Sequence, residues 1–209
     1  MPAPTHRLRA FTLIEMLVVM AVIAVLAAIL LNLNGLVQAK AAKSRAEGEI
    51  HALSAGCESY KADNGSYPQD TATTDILDPR IDGDPTKPVY QNASLFLYKQ
   101  LSGDLNANGR NEPAANEPKG YLADYFTQQR LGGSPTAVTF LKDPYGNSYG
   151  YSTKGAVAEQ QFRAKVSTDS TAPRDTKAQG FNATFDLWST GGKTNLTDPR
   201  NVNIWIKNW

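Results

Sequence analysis

Apolar residues run without interruption from Met16 to Leu31, and Phe11, Leu13 and Ile14 extend the run toward the N terminus, with Thr12 and Glu15 its only polar members. At about 1.5 Å per residue, Phe11 to Leu31 makes roughly 30 Å of helix, enough to cross a bilayer. Asn32, Asn34 and Gly35 follow. They are poor helix formers, so a bend or local melting is expected there. Beyond them Ile50, Leu53, Cys57 and Tyr60 recur at spacings of three and four, the stripe of a helix with one buried face. Asp63-Asn64-Gly65 then supplies a stop signal. Helix from Phe11 to about Ala62 would measure roughly 78 Å.

The pattern changes after residue 63. Leu95 to Leu101 reads as a short buried helix, set in a stretch from Asp70 to Gly120 that carries Pro79, Pro85, Pro88, Pro113 and Pro118. The rest of that stretch reads as loop, a surface elaboration. Asp143-Pro144 with Gly146-Asn147 is a turn signal. Tyr149-Gly150-Tyr151 and Ala183 to Trp188 alternate as short antiparallel strands do, and Val202 to Trp209 reads as another strand or an extended tail. Gly155 to Gly180 is polar and is expected to be mobile.

Composition narrows the function classes. The positions from Phe11 to Leu33 are apolar at 20 of 23 places, which leaves the remaining chain lean in apolar residues. Lys and Arg number 21 against 20 Asp and Glu, so no nucleic-acid partner is expected. One cysteine, Cys57, excludes an internal disulfide and a multi-cysteine zinc site, and makes a small buried hydrophobe on the helix stripe. Two histidines, His6 and His51, supply no Ser-His-Asp constellation, so the chain is not read as an enzyme. Gly192-Lys193-Thr194 lacks the first Gly of a phosphate loop, because Leu187 stands there, and reads as a turn.

The N-terminal run admits three readings. A cleaved secretory signal calls for a shorter apolar core with a small-residue cleavage site after it. A plain anchor explains the length but not a carboxylate at Glu15. Charge leaves the orientation open, since Arg7 and Arg9 precede the run while Lys40, Lys43 and Arg45 follow it. The third reading rests on Arg9-Ala10-Phe11-Thr12-Leu13-Ile14-Glu15-Met16-Leu17-Val18-Val19, which closely resembles the prepilin cleavage and methylation motif. The resemblance implies cleavage between Ala10 and Phe11 on the cytoplasmic side and N-methylation of Phe11 by the same prepilin peptidase. It also implies that Glu15 pairs with a subunit's terminal amine in a fibre. A buried carboxylate needs a cation, and a neighbouring protomer can supply one. Ala10 departs from the family, which usually has Gly there.

Three further stretches resemble the major pseudopilin of type II secretion systems. These are Tyr60-Lys61-Ala62-Asp63-Asn64-Gly65-Ser66-Tyr67-Pro68, Leu141-Lys142-Asp143-Pro144-Tyr145-Gly146-Asn147-Ser148-Tyr149, and Phe185 to Ser189 with the closing Asn208-Trp209. They imply an α+β, pilin-like fold, a long N-terminal helix packed on a small antiparallel sheet. The implied divisions are a leader over 1–10, a transmembrane and assembly helix over 11–33, its continuation over 34–62, and a periplasmic or extracellular head over 63–209. The implied function is a structural subunit of a single-pass, inner-membrane origin that polymerises with itself and with minor pseudopilins. Its other partners would be an inner-membrane assembly platform and membrane lipid. Two alternatives stand beside this reading. One is a type IV pilin for adhesion, motility or DNA uptake, and the other a membrane-anchored binding protein that never polymerises.

One motif suggests a metal. Asp104-Leu105-Asn106-Ala107-Asn108-Gly109 matches the first half of an EF-hand loop, with oxygen side chains at alternate positions and Gly at the sharp turn. Asp104, Asn106, Asn108 and Glu112 are the candidate calcium ligands. Ala115 stands where a bidentate Glu is usual, and Glu117 is the nearest replacement. A solvated Asn/Gly turn explains the same residues without metal. The resemblance places the family's own calcium site in an Asp-rich loop near the C terminus. Here that region offers Lys193, and Asp198 as its only carboxylate.

Overall fold

The computed structural model describes residues 11–109, 119–174, 179–194 and 203–209, without the side chains of 29–34 and 36. The chain divides into two compact units, Met1–Ala41 and Ala42–Trp209. The architecture is α+β: a long N-terminal helix, two further helices and small antiparallel sheets.

Helix α1 covers Leu13–Asn64. Gly65 ends it by taking φ +77°, a conformation that costs glycine little, and its N–H closes the last turn on the Lys61 carbonyl. Helical backbone continues through Asn32, Asn34 and Gly35, so the local melting expected there does not occur. The penalty of a lone Gly, about 1 kcal/mol, is smaller than what the strong helix formers on both sides contribute to an unbroken hydrogen-bond ladder.

Within Ala42–Trp209, Ala46, Ile50, Leu53 and Cys57 bury one face of α1. They meet Leu97, Tyr98 and Leu101 of α2 (Pro88–Ser102) in the main core. The short helix expected at Leu95–Leu101 is therefore twice that length. Pro88 sits in its first turn, where a missing N–H costs nothing, and Gly103 caps its end at φ +83°. Gly56 marks the close approach on α1: a Cβ there would fall 2.5 Å from Leu122 Cδ1.

A hairpin of β1 (Leu131–Ser134) and β2 (Ala137–Leu141) adds Leu131, Val138 and Leu141 to the core. Neither strand is foreshadowed by the sequence pattern, because Gly132-Gly133 breaks the alternation. Gly132 is required there, since its missing Cβ leaves room for the Phe140 ring. Strand β3 (Gly150–Ser152) pairs antiparallel with β4 (Asp186–Ser189), which pairs with β5 (Ile206–Lys207). These are the strands expected around Tyr151, Leu187 and the C-terminal segment; β3 is displaced by one residue from its sequence signal, and β4 and β5 are shorter than theirs.

One expectation is corrected. The Pro-rich stretch is not only a surface elaboration. Thr74 and Leu77 are fully buried, Tyr151 donates its hydroxyl to the Pro68 carbonyl at 2.7 Å, and Ser152 donates to the Leu77 carbonyl. Leu77 joins Tyr90, Ala93, Trp188 and Trp205 in a second cluster that the Trp209 ring packs against. The polar stretch 155–180 holds an element that the pattern did not foreshadow, α3, which covers Lys154–Thr168 with only Gly155 and Ala156 buried. A helix that buries one turn carries little apolar signal for a sequence pattern to reveal.

Candidate functional site

Ala10 lies outside the described residues, so the geometry begins at Phe11, which is 72 % exposed. Thr12 and Glu15 cap the start of α1 reciprocally. Thr12 Oγ1 accepts from the Glu15 backbone N–H at 3.3 Å, and the Glu15 carboxylate accepts from the Thr12 backbone N–H and hydroxyl, both at 2.8 Å. This is the capping box S/T-x-x-E, which satisfies two of the donors that every helix start leaves orphaned. The signal was present in the sequence as Thr12-Leu13-Ile14-Glu15. It gives the single carboxylate of this segment a fixed place, bonded to Thr12, the residue next to Phe11.

From Leu13 onward the segment is coated with exposed apolar side chains. Leu17, Val18, Ala21, Val22, Val25 and Leu26 form one continuous apolar strip. No polar side chain interrupts it, so nothing in this strip is equipped for chemistry. What it offers is area for burial, roughly 1.5–3 kcal/mol for each large side chain taken out of water. Among the described residues no helix is long and apolar enough to cross a membrane. Ile29, Leu30, Leu31 and Leu33, which extend the run in the sequence, have side chains outside the described set.

The structure gathers only part of the candidate metal set. Asp104 is buried, Asn106 exposed and Asn108 half-buried, while Glu112 and Glu117 lie outside the described residues, as does Asp198. Asp104 accepts from the backbone N–H of Asn108 at 3.1 Å and of Gly109 at 2.8 Å, and from the Tyr98 hydroxyl at 2.8 Å. Gly109 turns the chain at φ +73°, and a Cβ there would fall 2.6 Å from the Pro135 carbonyl oxygen. Burial first, and the Asp104 carboxylate second, push the Tyr98 phenol well up, so it stays a donor. Among the described residues no three His, Cys, Asp or Glu side chains come together as a metal site.

Other candidate groups have structural occupations. Burial raises the Cys57 thiol far above its ordinary value, which removes it from thiolate chemistry. His51 is exposed on α1, and Gly191-Gly192 makes a turn with both residues at positive φ. Glu49, which the sequence did not single out, is the buried charge of α1. It takes a hydrogen bond from Tyr149 Oη at 2.8 Å and pairs with Arg130 at 3.2 Å, while the Arg130 guanidinium lies over the Tyr125 ring. Charge and partner are matched inside the head, so this is a packing device.

Searches of curated proteins and of solved structures find no match for the chain. Residues 6–31 match the family model described as the prokaryotic N-terminal methylation motif. The segment that holds Thr12 and Glu15 at the head of an exposed apolar strip is therefore a prepilin-type, type IV pilin-like N terminus.

Proposed function

We propose that this chain is a structural subunit of a type II secretion pseudopilus. Prepilin peptidase cuts it between Ala10 and Phe11, methylates Phe11, and leaves the head on the periplasmic side of the inner membrane. The observation that carries this reading is the pairing, on a methylation-motif segment, of an exposed apolar strip with one carboxylate fixed beside the mature N terminus. Bilayer lipid covers the strip in the monomer and neighbouring subunits cover it in the fibre. The chain contributes cohesion and surface, and no catalysis. The choice of a pseudopilus over a type IV pilus rests on the resemblances around Tyr60–Pro68, Leu141–Tyr149 and Phe185–Ser189.

Glu15→Ala tests the reading. Fibres recovered from cells carrying the variant should fall at least tenfold, while processed, N-methylated subunit stays in the membrane fraction at normal level. Normal fibre yield from the variant would sink the polymer role assigned to Glu15, and an uncut chain beginning at Met1 would sink the leader.

We also propose that the Asp104–Gly109 turn is a calcium-responsive element of the head. Its support is the arrangement an EF-hand loop uses at its start, a carboxylate at the first position and a left-handed Gly at the sixth. Millimolar calcium should raise the melting temperature of the full chain in detergent, and Asp104→Ala should abolish that rise. An unchanged melting temperature in the parent protein would remove calcium from this turn.

A further inference from the structure

The head carries a cleft of about 230 Å³ between α3 and the turn that precedes β4, lined among others by Arg80, Glu159, Phe162, Lys165, Arg174 and Phe181. Its charges are unevenly matched. Glu159 is spoken for by two arginines, Arg163 at 2.9 Å and Arg174 at 2.8 Å. Arg174 also lies over the Phe162 ring, 4.5 Å from its centroid. Arg80 and Lys165 have no carboxylate partner within salt-bridge distance among the described residues. Arg80 instead stands 5.1 Å over the exposed face of Phe181.

Arg80 acts electrostatically on Asp186, both of whose oxygens are already committed. They accept from the backbone N–H groups of Phe181 and Asn182, each at 2.8 Å. That pair of bonds fixes the turn that forms the cleft wall, so Arg80 rests on a braced aromatic platform. Gly155 permits the approach of α3 to this wall, since a Cβ there would collide with the Asn182 carbonyl oxygen. Two cations without a carboxylate partner among the described residues thus face one small space. Pockets for drug-sized ligands run from roughly 300 Å³ upward, so this one suits a smaller occupant.

We propose that this cleft binds the oxyanion group, carboxylate or phosphate, of a small solute. Arg80 supplies a planar fork of donors, and Lys165 a point charge from the opposite side. The inference is independent of whether the chain polymerises, because the cleft is built wholly from the head.

Phe181 stacks on Trp209 at 4.6 Å between centroids, so the cleft wall touches the cluster that holds all three tryptophans. Tryptophan fluorescence of the full chain in detergent therefore reads occupancy. Inorganic phosphate and glucuronate are titrated separately at constant ionic strength, with potassium chloride as the control. A saturable change with either probe, weakened at least tenfold by Arg80→Gln and by Lys165→Gln, is the expected result. Saturation by phosphate alone or by glucuronate alone supports the site and tells the two oxyanions apart. Both substitutions sit on exposed side chains, and unchanged melting temperatures verify that each variant is folded. Failure of both probes to saturate would overturn the proposal, as would binding that neither substitution weakens.

Discussion

Helix α1 contains two stretches of similar greasiness and opposite fate. Between Leu13 and Leu26 the large apolar side chains are exposed, from 48 % at Val19 to 83 % at Leu13. Between Ala46 and Cys57 the core-facing side chains are at most 3 % exposed. Both stretches make the same backbone hydrogen bonds, so helix formation does not distinguish them. The second stretch is covered by its own chain, through α2, the β1–β2 hairpin and the β3–β4–β5 sheet. Among the described residues the large side chains of the first stay exposed. Removing an apolar side chain should therefore be felt in different measurements: folding of the monomer for the second stretch, and association with lipid or another subunit for the first.

The sharpest way to break this comparison is a pair of matched truncations. Leu53→Ala removes a side chain that is 1 % exposed. It should cost about 2–5 kcal/mol and lower the melting temperature of the full chain in detergent by roughly 5–15 °C. Leu17→Ala, at a side chain that is 58 % exposed, should leave that melting temperature within about 1 °C and reduce fibre yield instead. Equal thermal losses for the two variants would mean that the exposed strip is covered within the monomer after all.

A smaller effect of pH belongs to the packed head alone. Asp186 is buried in the head, and burial pushes its carboxyl from the ordinary 3.8 up to about 6, with the like charge of Asp78 adding to the rise. The backbone donors of Phe181 and Asn182 and the Arg80 charge oppose that shift without cancelling it. Burial raises Asp143 in the same direction. A carboxyl raised by folding binds its proton more tightly in the folded chain, so this contribution to stability grows as pH falls from about 7 toward 4. It is lost again as pH rises through the folded value. Between pH 7 and pH 5 the Asp186 contribution should be on the order of 1–2 kcal/mol. Melting curves at both values should show the parent gaining stability on acidification and Asp186→Asn gaining less. An identical slope in the variant would assign the effect elsewhere.

What the sequence disclosed follows the same division. Stretches with a strong local period were legible: the helix stop at Gly65, the stripe through Ile50, Leu53 and Cys57, and the strands around Tyr151 and Leu187. The β1–β2 hairpin was not, because Gly132 and Gly133 are there to admit the Phe140 ring and to turn the backbone, neither of which leaves a hydrophobic pattern. The buried role of Leu77 and Thr74 was hidden for a related reason. Single residues held by contacts from 75 or more positions away have no periodicity to display. At the candidate site the balance is reversed. Ala10, Phe11 and Glu15 were legible only as motif positions, and what the carboxylate does inside one chain required coordinates.

That intramolecular role gives the finest test of the comparison. Thr12 and Glu15 satisfy each other at 2.8 Å in a stretch whose large side chains are exposed among the described residues, so the first turn of α1 depends on a cap where the head depends on packing. Thr12→Ala should cost about 0.5–2 kcal/mol, all of it local. Amide hydrogen exchange of the chain in detergent should quicken at Ile14, Glu15 and Met16, while protection at Ile50 and Leu53 and the melting temperature stay where they were. Thr12→Ser keeps the hydroxyl and should restore slow exchange. If Thr12→Ala left exchange at Glu15 unchanged, the capping box would not be holding the carboxylate in solution. Glu15 would then start assembly from an unfixed position, and the contrast with the packed half of the helix would begin at its first residue.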